Sequence, residues 1–500
     1  MRLRQLFSDV AVYGFSSIIG RLLNYFLTPL YVRVFLPQEY GVMVELYAYL
    51  AFLNVLFSWG METSFFHFSS RGRWAVDRVF STAWTWMAIV AGGSTLILWW
   101  NVPALADALG YGQRIALLRL ALGVVLVDAL TVLPYAWLRK FGYSVRFSLV
   151  RLGGIVLTIF LNILFLYLLP RWKIDGIWLP WEDSVELVFL ANWVGSGFTL
   201  ALLAPTLIRH FRGWDFSLAN RMIRYGAPLM IAGLAGMINE TADRPLLRWL
   251  LPGSLPERYY QLGIYGANYK VAILMVLFLQ SFRYAAEPFF LSSAHRREGQ
   301  WQFARLLLVY TGAMSSVFVG VMMNLHWIKF FIGPEGSDYH QGLGVVPIVM
   351  AAFIFLGIYY HLSVWYKHLE RTSAGMWMGI AGSAVTLVAN YILIPQIGIY
   401  GAAVATLLSY GTMMVVSAIW GRRHYPVPYP WKSLMLIFAI AGGVGLGMWQ
   451  WRADSFLQFS VQHLVTHNLV GIFTIGVIGL ITWRCYRRLL VAGAEKIGND

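Results

Sequence analysis

About fourteen apolar windows, each of roughly 20 residues, recur along the whole length of this 500-residue chain. A helix rises about 1.5 Å per residue, so 20 residues are enough to cross about 30 Å of hydrocarbon. The windows therefore predict an all-α polytopic membrane protein. They lie near residues 9–36, 40–68, 79–101, 115–138, 144–169, 185–208, 222–251, 262–291, 303–332, 343–366, 373–394, 399–420, 432–451 and 465–484.

The composition excludes a large soluble domain. Hydrophobic residues make up 59% of the chain and charged residues only 12%, whereas soluble proteins carry about 25% charged residues. The segments between the windows are short, so no extramembrane domain is predicted. No phosphate-binding Walker loop, cofactor motif, metal-ligand pattern or catalytic motif is found in the sequence, and an ion gradient or the substrate gradient is the predicted energy source.

The net charge of +15 is explained by its distribution. When the N-terminus is placed inside, alternate loops carry about 25 basic residues on one side and about eight on the other. This bias is the positive-inside signature, and it predicts that both termini are cytoplasmic. A nucleic acid is therefore not an expected partner.

A weak internal repeat predicts two lobes. The first and seventh spans each begin after a Tyr-Gly pair, at Tyr13 and Tyr225, and each ends at Leu-Pro. We predict an N-lobe of helices 1–6 over residues 1–210 and a C-lobe of helices 7–12 over 211–425. The helix pair 13–14 and a short tail then occupy residues 426–500. Because six is even, the two lobes enter the membrane in the same direction, as in transporters built from parallel repeats.

Polar residues interrupt the seventh span, and they are the first candidates for a functional site. Asn239, Glu240, Asp243 and Arg244 lie within an otherwise apolar stretch. A charge at bilayer depth costs about 2.5–3.5 kcal/mol and normally faces a wet cavity or another charge. Glu240 and Arg244 are i, i+4 neighbours, so a self-neutralised ion pair that joins helices is the alternative to a substrate role.

Further polar residues line other predicted spans. Arg21 and Asn24 share one face of the first span, Glu45 follows in the second, and Lys270 lies in the eighth. Arg283 and Glu287 form another face of the eighth span. We predict that Arg21, Asn24, Glu45, Arg244, Lys270 and Arg283 line a substrate cavity.

Carboxylates form a second predicted group. Glu62, Glu240, Asp243 and Glu287 are predicted to couple an ion or to pair with the cavity cations. For Glu62, a proton-responsive role and a simple ion pair with Arg71 or Arg73 both remain open. Together the cations would attract an anionic ligand such as a pyrophosphate, because guanidinium groups bind phosphate oxygens with bidentate geometry.

Several stretches resemble the polysaccharide flippases of bacterial cell-envelope synthesis, which belong to the multidrug/oligosaccharidyl-lipid/polysaccharide exporter superfamily. The resemblance spans essentially the whole chain, with diffuse motifs. It rests on residues 13–47, on Gly-Met-Glu-Thr-Ser-Phe-Phe at 60–66, Tyr-Gly-Ala-Asn-Tyr-Lys at 265–270, Phe-Arg-Tyr-Ala-Ala-Glu-Pro-Phe-Phe at 282–290, Leu-Ser-Val-Trp-Tyr-Lys at 362–367 and Gly-Ile-Tyr-Gly-Ala-Ala-Val-Ala-Thr at 398–406.

The resemblance implies a two-lobed transporter of fourteen helices in the bacterial cytoplasmic (inner) membrane. It implies that undecaprenyl-diphosphate-linked oligosaccharide moves from the cytoplasmic to the periplasmic leaflet by alternating access through a cationic cavity. Membrane lipids, a polysaccharide polymerase and assembly proteins would be the other partners. Two alternatives stay open: a cation-coupled multidrug-type exporter of soluble substrates, and a membrane-embedded polysaccharide polymerase or ligase.

Overall fold

The structure is a computed structural model that describes residues 18–20, 22–112, 114–172, 184–293, 297–369, 371–454 and 461–498. All regular elements within these ranges are helical. The first half of the chain contributes α1 (Thr28–Val34), α2 (Pro37–Ser58), α3 (Met61–Ser70), α4 (Val76–Trp100), α5 (Val102–Ala108), α6 (Ile115–Lys140), α7 (Ser144–Ile163), a π-helical turn (Leu164–Leu168), α8 (Leu169–Trp172), α9 (Ser184–His210), α10 (Phe216–Thr241) and α11 (Asp243–Leu250).

The second half contains the longest described helix, α21, and two short 3₁₀ turns, at Lys329–Ile332 and Asp338–Gly342. Its α-helices are α12 (Leu255–Ala272), α13 (Leu274–Ser293), α14 (Arg297–Met323), α15 (Leu325–Ile328), α16 (Val345–Leu362), α17 (Val364–His368), α18 (Thr372–Ile397), α19 (Ile399–His424), α20 (Trp431–Asp454) and α21 (Val461–Gly498).

Twelve helical segments of the described chain are long and apolar enough to cross a membrane. Each overlaps one of the predicted windows, so the chain is a multi-pass membrane protein and the all-α fold class is confirmed. Two predicted windows are absent from the twelve. The window at 9–36 lies partly outside the described residues, and the window at 222–251 is divided between α10 and α11.

The chain forms two compact units. Unit 1 comprises residues 1–248 and 253–263, and unit 2 comprises 249–252 and 264–500. These units describe packing in one conformation, whereas the predicted lobes 1–210, 211–425 and 426–500 describe a sequence repeat. The lobe boundaries therefore stay a prediction.

Unit 1 has a buried apolar core where α3, α4 and α6 meet. Met61, Phe65, Phe80, Met87 and Leu133 are fully buried in it. Burying such side chains stabilises the fold by about 1.5–3 kcal/mol each in water-based bookkeeping. Inside a bilayer the lipid tails are as apolar as these side chains, so close packing between the helices supplies the stabilisation instead.

Unit 2 is organised around two sets of packed helices. The helix α19 packs against both α16 and α18, and α14 packs against both α20 and α21. Large apolar side chains on these helices, such as Tyr391 and Phe473, are 70% and 74% exposed. This exposure is what a lipid-facing surface requires.

Candidate functional site

The second membrane span, residues 37–70, is broken in its interior. The helix α2 ends at Ser58 and α3 begins at Met61, with Trp59 and Gly60 between them at φ values of 47° and 64°. Trp59 is the one non-glycine residue with positive φ in the described chain. Backbone strain of this kind is concentrated at functional sites.

A close backbone contact holds this break in place. A Cβ atom on Gly60 would lie 2.8 Å from the carbonyl oxygen of Gly226 in α10, and a Cβ on Gly226 would collide with the carbonyl oxygen of Trp59. The Trp59 indole also donates to the Ile223 carbonyl at 3.4 Å. The Tyr-Gly pair that marked the predicted repeat at residue 225 thus serves here as a contact surface for the broken span.

We expect Gly60→Ala to lower stability more than Gly72→Ala. Both glycines have positive φ, 64° and 69°, but the space around Gly72 is open. The backbone penalty of about 1–2 kcal/mol is therefore common to both, and overpacking adds about 1–3 kcal/mol only at Gly60. Thermal unfolding of the detergent-purified variants measures the difference. Equal losses would show that the Gly226 contact contributes nothing.

The predicted seventh span is broken at its polar stretch. The helix α10 ends at Thr241 and α11 begins at Asp243. Pro245 lies in the first turn of α11 and has no N–H to donate to the Thr241 carbonyl, so one hydrogen bond of the α-helical ladder is missing there. The ladder resumes at once, because the Leu246 N–H donates to the Ala242 carbonyl at 3.0 Å. In membrane transporters, discontinuous helices of this kind expose backbone groups to bound ligands and ions.

Asp243 and Arg244 form an ion pair at this break. The Arg244 Nη1 atom lies 3.0 Å from Asp243 Oδ1, and the Arg244 and Asp243 side chains are 13% and 4% exposed. The same guanidinium donates to the backbone carbonyl of Glu240. The predicted i, i+4 contact therefore forms, but it uses the carbonyl of Glu240 and not its carboxylate.

A buried carboxylate, Glu45 on α2, accepts three phenolic hydrogen bonds. Tyr49 donates to Oε1 at 2.9 Å, while Tyr111 and Tyr259 donate to Oε2 at 2.7 and 2.9 Å. The Arg248 Nε atom of α11 lies 3.7 Å from Oε1, and the Glu45 side chain is 0% exposed. We call these five residues the Glu45 cluster.

Tyr111 lies in the loop between α5 and α6, outside the membrane spans. Burial and the neighbouring Glu45 charge raise its pKa well above the ordinary value. The phenol therefore keeps its proton and donates to the carboxylate over the physiological pH range.

Arg248 extends the Glu45 cluster to a helix end. Its Nη2 atom donates to the carbonyl of Leu109, the residue that caps α5. A cation at a helix C-terminus satisfies an orphan carbonyl and interacts favourably with the helix dipole. Arg248 thus joins α2, α5 and α11 through one buried guanidinium.

Two glycines let α2 and α12 approach closely beside this cluster. A Cβ on Gly41 would collide with the Tyr259 carbonyl oxygen, and a Cβ on Gly263 would collide with the Pro37 carbonyl oxygen. Small residues at crossing points are typical of helix contacts in membranes. The beginning of α2 and the beginning of α12 are therefore held together both by backbone contact and by the hydrogen bonds of Glu45.

Glu62 lies at the start of α3 and pairs with Arg139 near the end of α6. The Arg139 guanidinium also lies 5.5 Å from the ring centroid of Phe66. The ion-pair alternative named Arg71 or Arg73 as the partner, whereas the ion pair seen in the structure is with Arg139, because the fold brings α6 beside α3. Both side chains of the pair are partly exposed.

The structure places the remaining predicted residues in different ways. Asn24 is exposed. Lys270 is partly exposed on α12, three residues before the break at Ile273 that separates α12 from α13. Arg283 is exposed on α13, where its guanidinium lies 5.2 Å from the ring centroid of Tyr360. Arg21 and the side chain of Glu287 lie outside the described residues.

Sequence reasoning missed Arg139 and the tyrosines of the Glu45 cluster. Tyr111 lies 66 residues from Glu45 and Tyr259 lies 214 residues away, so no local pattern connects them. Neutral tyrosines also carry no hydropathy penalty that would mark them. Two signals were available. An intramembrane carboxylate requires donors from somewhere in the fold, and Tyr49 lies at the i+4 position from Glu45 on the same helix.

The fold is shared with solved membrane transporters. A structure described as "Lipid II flippase MurJ, inward closed conformation" is 14% identical with a TM-score of 0.71, and the match covers 94% of this chain and 98% of that chain. A second, described as an inward-facing multidrug resistance MATE family transporter of the MOP superfamily, is 13% identical with a TM-score of 0.64 and coverages of 83% and 94%. The chain therefore has the fold of these two transporters.

The family follows from the sequence. The profile of a family described as "Polysaccharide biosynthesis protein" matches residues 30–293, which is more than half of the chain. This chain belongs to that family. No protein with curated annotation matches it.

Proposed function

We propose that this protein is a flippase that moves undecaprenyl-diphosphate-linked oligosaccharide from the cytoplasmic to the periplasmic leaflet for cell-surface polysaccharide synthesis. The family match carries the proposal, and the charged residues at the broken spans support it. Arg244 at the α10–α11 break, with Arg21, Lys270 and Arg283, would attract the diphosphate. The bacterial inner membrane and cytoplasmic termini are part of the proposal.

Alternating access requires contacts that form and break as the protein changes conformation. We propose that the Glu45 cluster is one such contact. Its geometry supports this role, because the 3.7 Å ion pair joins α2 to α11, and the hydrogen bonds of Tyr111 and Tyr259 join α2 to the α5–α6 loop and to α12. Polar contacts of this kind can be exchanged for water when helices separate, whereas an interlocked apolar core cannot.

The acidic residues are proposed to pair with the cations that would bind the diphosphate. Asp243 pairs with the Arg244 guanidinium, and an incoming diphosphate would compete for it. Such an exchange limits the cost of holding an unpaired cation at bilayer depth. Glu62, Glu240, Asp243 and Glu287 are proposed to pair with cations or to report protonation during the cycle.

Transport in reconstituted vesicles tests this function. The full-length protein is inserted into vesicles that carry fluorescent undecaprenyl-diphosphate-linked oligosaccharide in the inner leaflet, and lectin binding outside measures exposure of the sugar. We expect the protein to speed exposure at least about tenfold over protein-free vesicles, and Arg244→Gln to remove most of that gain. Equal rates with and without correctly inserted protein would contradict the proposal.

A cation-coupled exporter of soluble substrates is the second candidate. The exposed carboxyl-bearing residue Glu240 at the α10–α11 break favours it, since an accessible carboxylate can bind a proton or sodium ion. Drug-susceptibility profiles of a deletion strain distinguish the two. Unchanged surface polysaccharide with increased drug sensitivity would favour the exporter.

We propose transport without covalent chemistry, and we assign no catalytic residue or cofactor. The described loops between the spans of unit 1 are short, such as residues 71–75 and 211–215, which leaves little room there for a polymerase or ligase active site. A polysaccharide polymerase and assembly proteins are proposed as partners that receive the translocated product. Chain elongation by the purified protein with lipid-linked repeat units would overturn this assignment.

A further inference from the structure

Unit 2 contains a cavity of about 740 Å³ that the proposed transport mechanism does not use. It lies where α14 begins, α17 begins and α19 ends, and its outer wall is the linker between α19 and α20, residues 425–430. A volume of this size is in the range of small-molecule sites. We call it the α19–α20 pocket.

The walls of the α19–α20 pocket are aromatic and stiff. Prolines at 426, 428 and 430 restrict the linker, and its backbone closes two tight turns, from Tyr429 N–H to the Val427 carbonyl at 2.8 Å and from Trp431 N–H to the Tyr429 carbonyl at 2.9 Å. A wall of this kind is preorganised, because proline loses little freedom on binding. The aromatic lining residues are Trp301, Phe303, Trp365, Tyr425, Tyr429 and Trp431.

One polar group in this wall is buried and has no acceptor. Trp365 is 4% exposed, and no described residue accepts a hydrogen bond from its Nε1–H. The indole edge lies beside Gly421, where a Cβ would be 3.2 Å from Nε1. Both Trp365 and Gly421 line the pocket. Buried Trp N–H groups usually have a partner, so a bound acceptor would complete the site.

The charge at the rim is positive. Arg422 lines the pocket and is exposed. A ligand with anionic oxygens can accept a hydrogen bond from the Trp365 N–H and pair with the Arg422 guanidinium. Phosphate oxygens are of this kind and pair well with arginine.

We propose that the α19–α20 pocket binds the phosphate headgroup of an anionic phospholipid. The pocket lies at the ends of membrane-crossing helices, where headgroups lie. Basic pockets between such helices bind acidic lipid headgroups. Arg422 pairs with the phosphate, the Trp365 N–H donates to a headgroup oxygen, and the aromatic walls contact the glycerol and the first methylenes. This site is independent of the proposed transport path.

Lipid binding to the full-length protein tests the proposal. Native mass spectrometry after delipidation and titration with phosphatidylglycerol or phosphatidylcholine counts retained lipids, and the thermal unfolding midpoint provides a second measurement. We expect retention of phosphatidylglycerol over phosphatidylcholine and a higher midpoint with phosphatidylglycerol. Arg422→Gln should weaken retention about tenfold, the loss expected for one charge-assisted contact.

Matched control variants distinguish lipid binding at this pocket from a general effect of the protein's net charge. Arg423→Gln removes the same charge at the next position, which does not line the pocket, and should retain phosphatidylglycerol. Trp365→Phe removes the N–H but keeps a ring and should weaken retention, whereas Trp420→Phe on the exposed face of α19 should not.

Three outcomes would overturn the proposal. Equal losses in the Arg422 and Arg423 variants would show that only net charge matters. Equal retention of both lipids would exclude selectivity for an anionic headgroup. If millimolar inorganic phosphate displaces the lipid and raises the midpoint equally, the pocket takes a soluble anion. Should Arg422→Gln be poorly folded, Trp365→Phe and its Trp420→Phe control decide the question.

Discussion

Glu45→Ala is expected to destabilise the protein by about 3–5 kcal/mol, because it leaves the buried Arg248 guanidinium without its counter-charge. The side chains of Glu45 and Arg248 are 0% and 5% exposed, so water cannot compensate in the folded state. The phenols of Tyr49, Tyr111 and Tyr259 lose their acceptor as well. Denaturant unfolding of the purified protein in detergent measures the loss.

The double variant Glu45→Leu/Arg248→Met separates charge pairing from packing. Apolar groups of similar volume often replace a buried ion pair with little loss of stability, so the double variant should be more stable than Glu45→Ala. A coupling energy of about 1–3 kcal/mol is expected from the full cycle. Asp107→Ala, which removes an exposed carboxylate in the same unit, should change little. A loss below about 1 kcal/mol in Glu45→Ala would show that the pair is solvated.

The effect of the double variant on transport is predicted separately from its effect on stability. If the Glu45 cluster fastens and releases α2, the folded double variant should still lose most transport, because its apolar contact does not exchange with water. Normal transport by the double variant would show that the cluster is only structural.

Charge reversal at Arg244 and at Arg21 is expected to abolish display of surface polysaccharide. Each change places a negative charge where the diphosphate is proposed to bind, and at Arg244 it adds a carboxylate beside the buried Asp243. Repulsion and loss of bidentate pairing together should lower export at least about tenfold. Immunodetection of the polysaccharide in cells with equal membrane levels of each variant measures the effect.

The controls for this prediction come from the same chain. Arg224→Glu reverses an exposed charge on α10, the helix that leads to Arg244, and should leave display intact. Arg244→Gln removes the charge and keeps a polar side chain, and it shows whether loss of display in Arg244→Glu comes from poor folding. Survival of display in both Arg21→Glu and Arg244→Glu would refute the assignment of a cationic cavity.

Hydropathy alone located the membrane spans. Twelve of the predicted windows coincide with long apolar helices, because crossing a bilayer is a property of about 20 consecutive residues and needs no tertiary information. The resemblance in residues 13–66 and in the later motifs also predicted the fold that the MurJ and MATE structures share. The polar residues Asn239 to Arg244 drew attention to the seventh window, but the sequence analysis did not predict the break between α10 and α11.

The breaks and the ion-pair partners required the structure. Pro245 could indicate the end of α10, yet nothing local predicted the left-handed residues Trp59 and Gly60, whose conformation depends on Gly226 in α10. Glu62 pairs with Arg139 rather than with the nearer Arg71 or Arg73, because helix packing brings the end of α6 to the start of α3.

The sequence by itself determined that the chain crosses the membrane many times and that charged groups lie within its spans. Only the tertiary structure decided which charges meet, as with Glu45 and Arg248, which are 203 positions apart in the sequence. The physical reason is the distance along the sequence over which each effect acts. The cost of placing residues in lipid adds up locally along a helix, whereas hydrogen bonds and ion pairs act over a few ångströms between segments that only folding brings together.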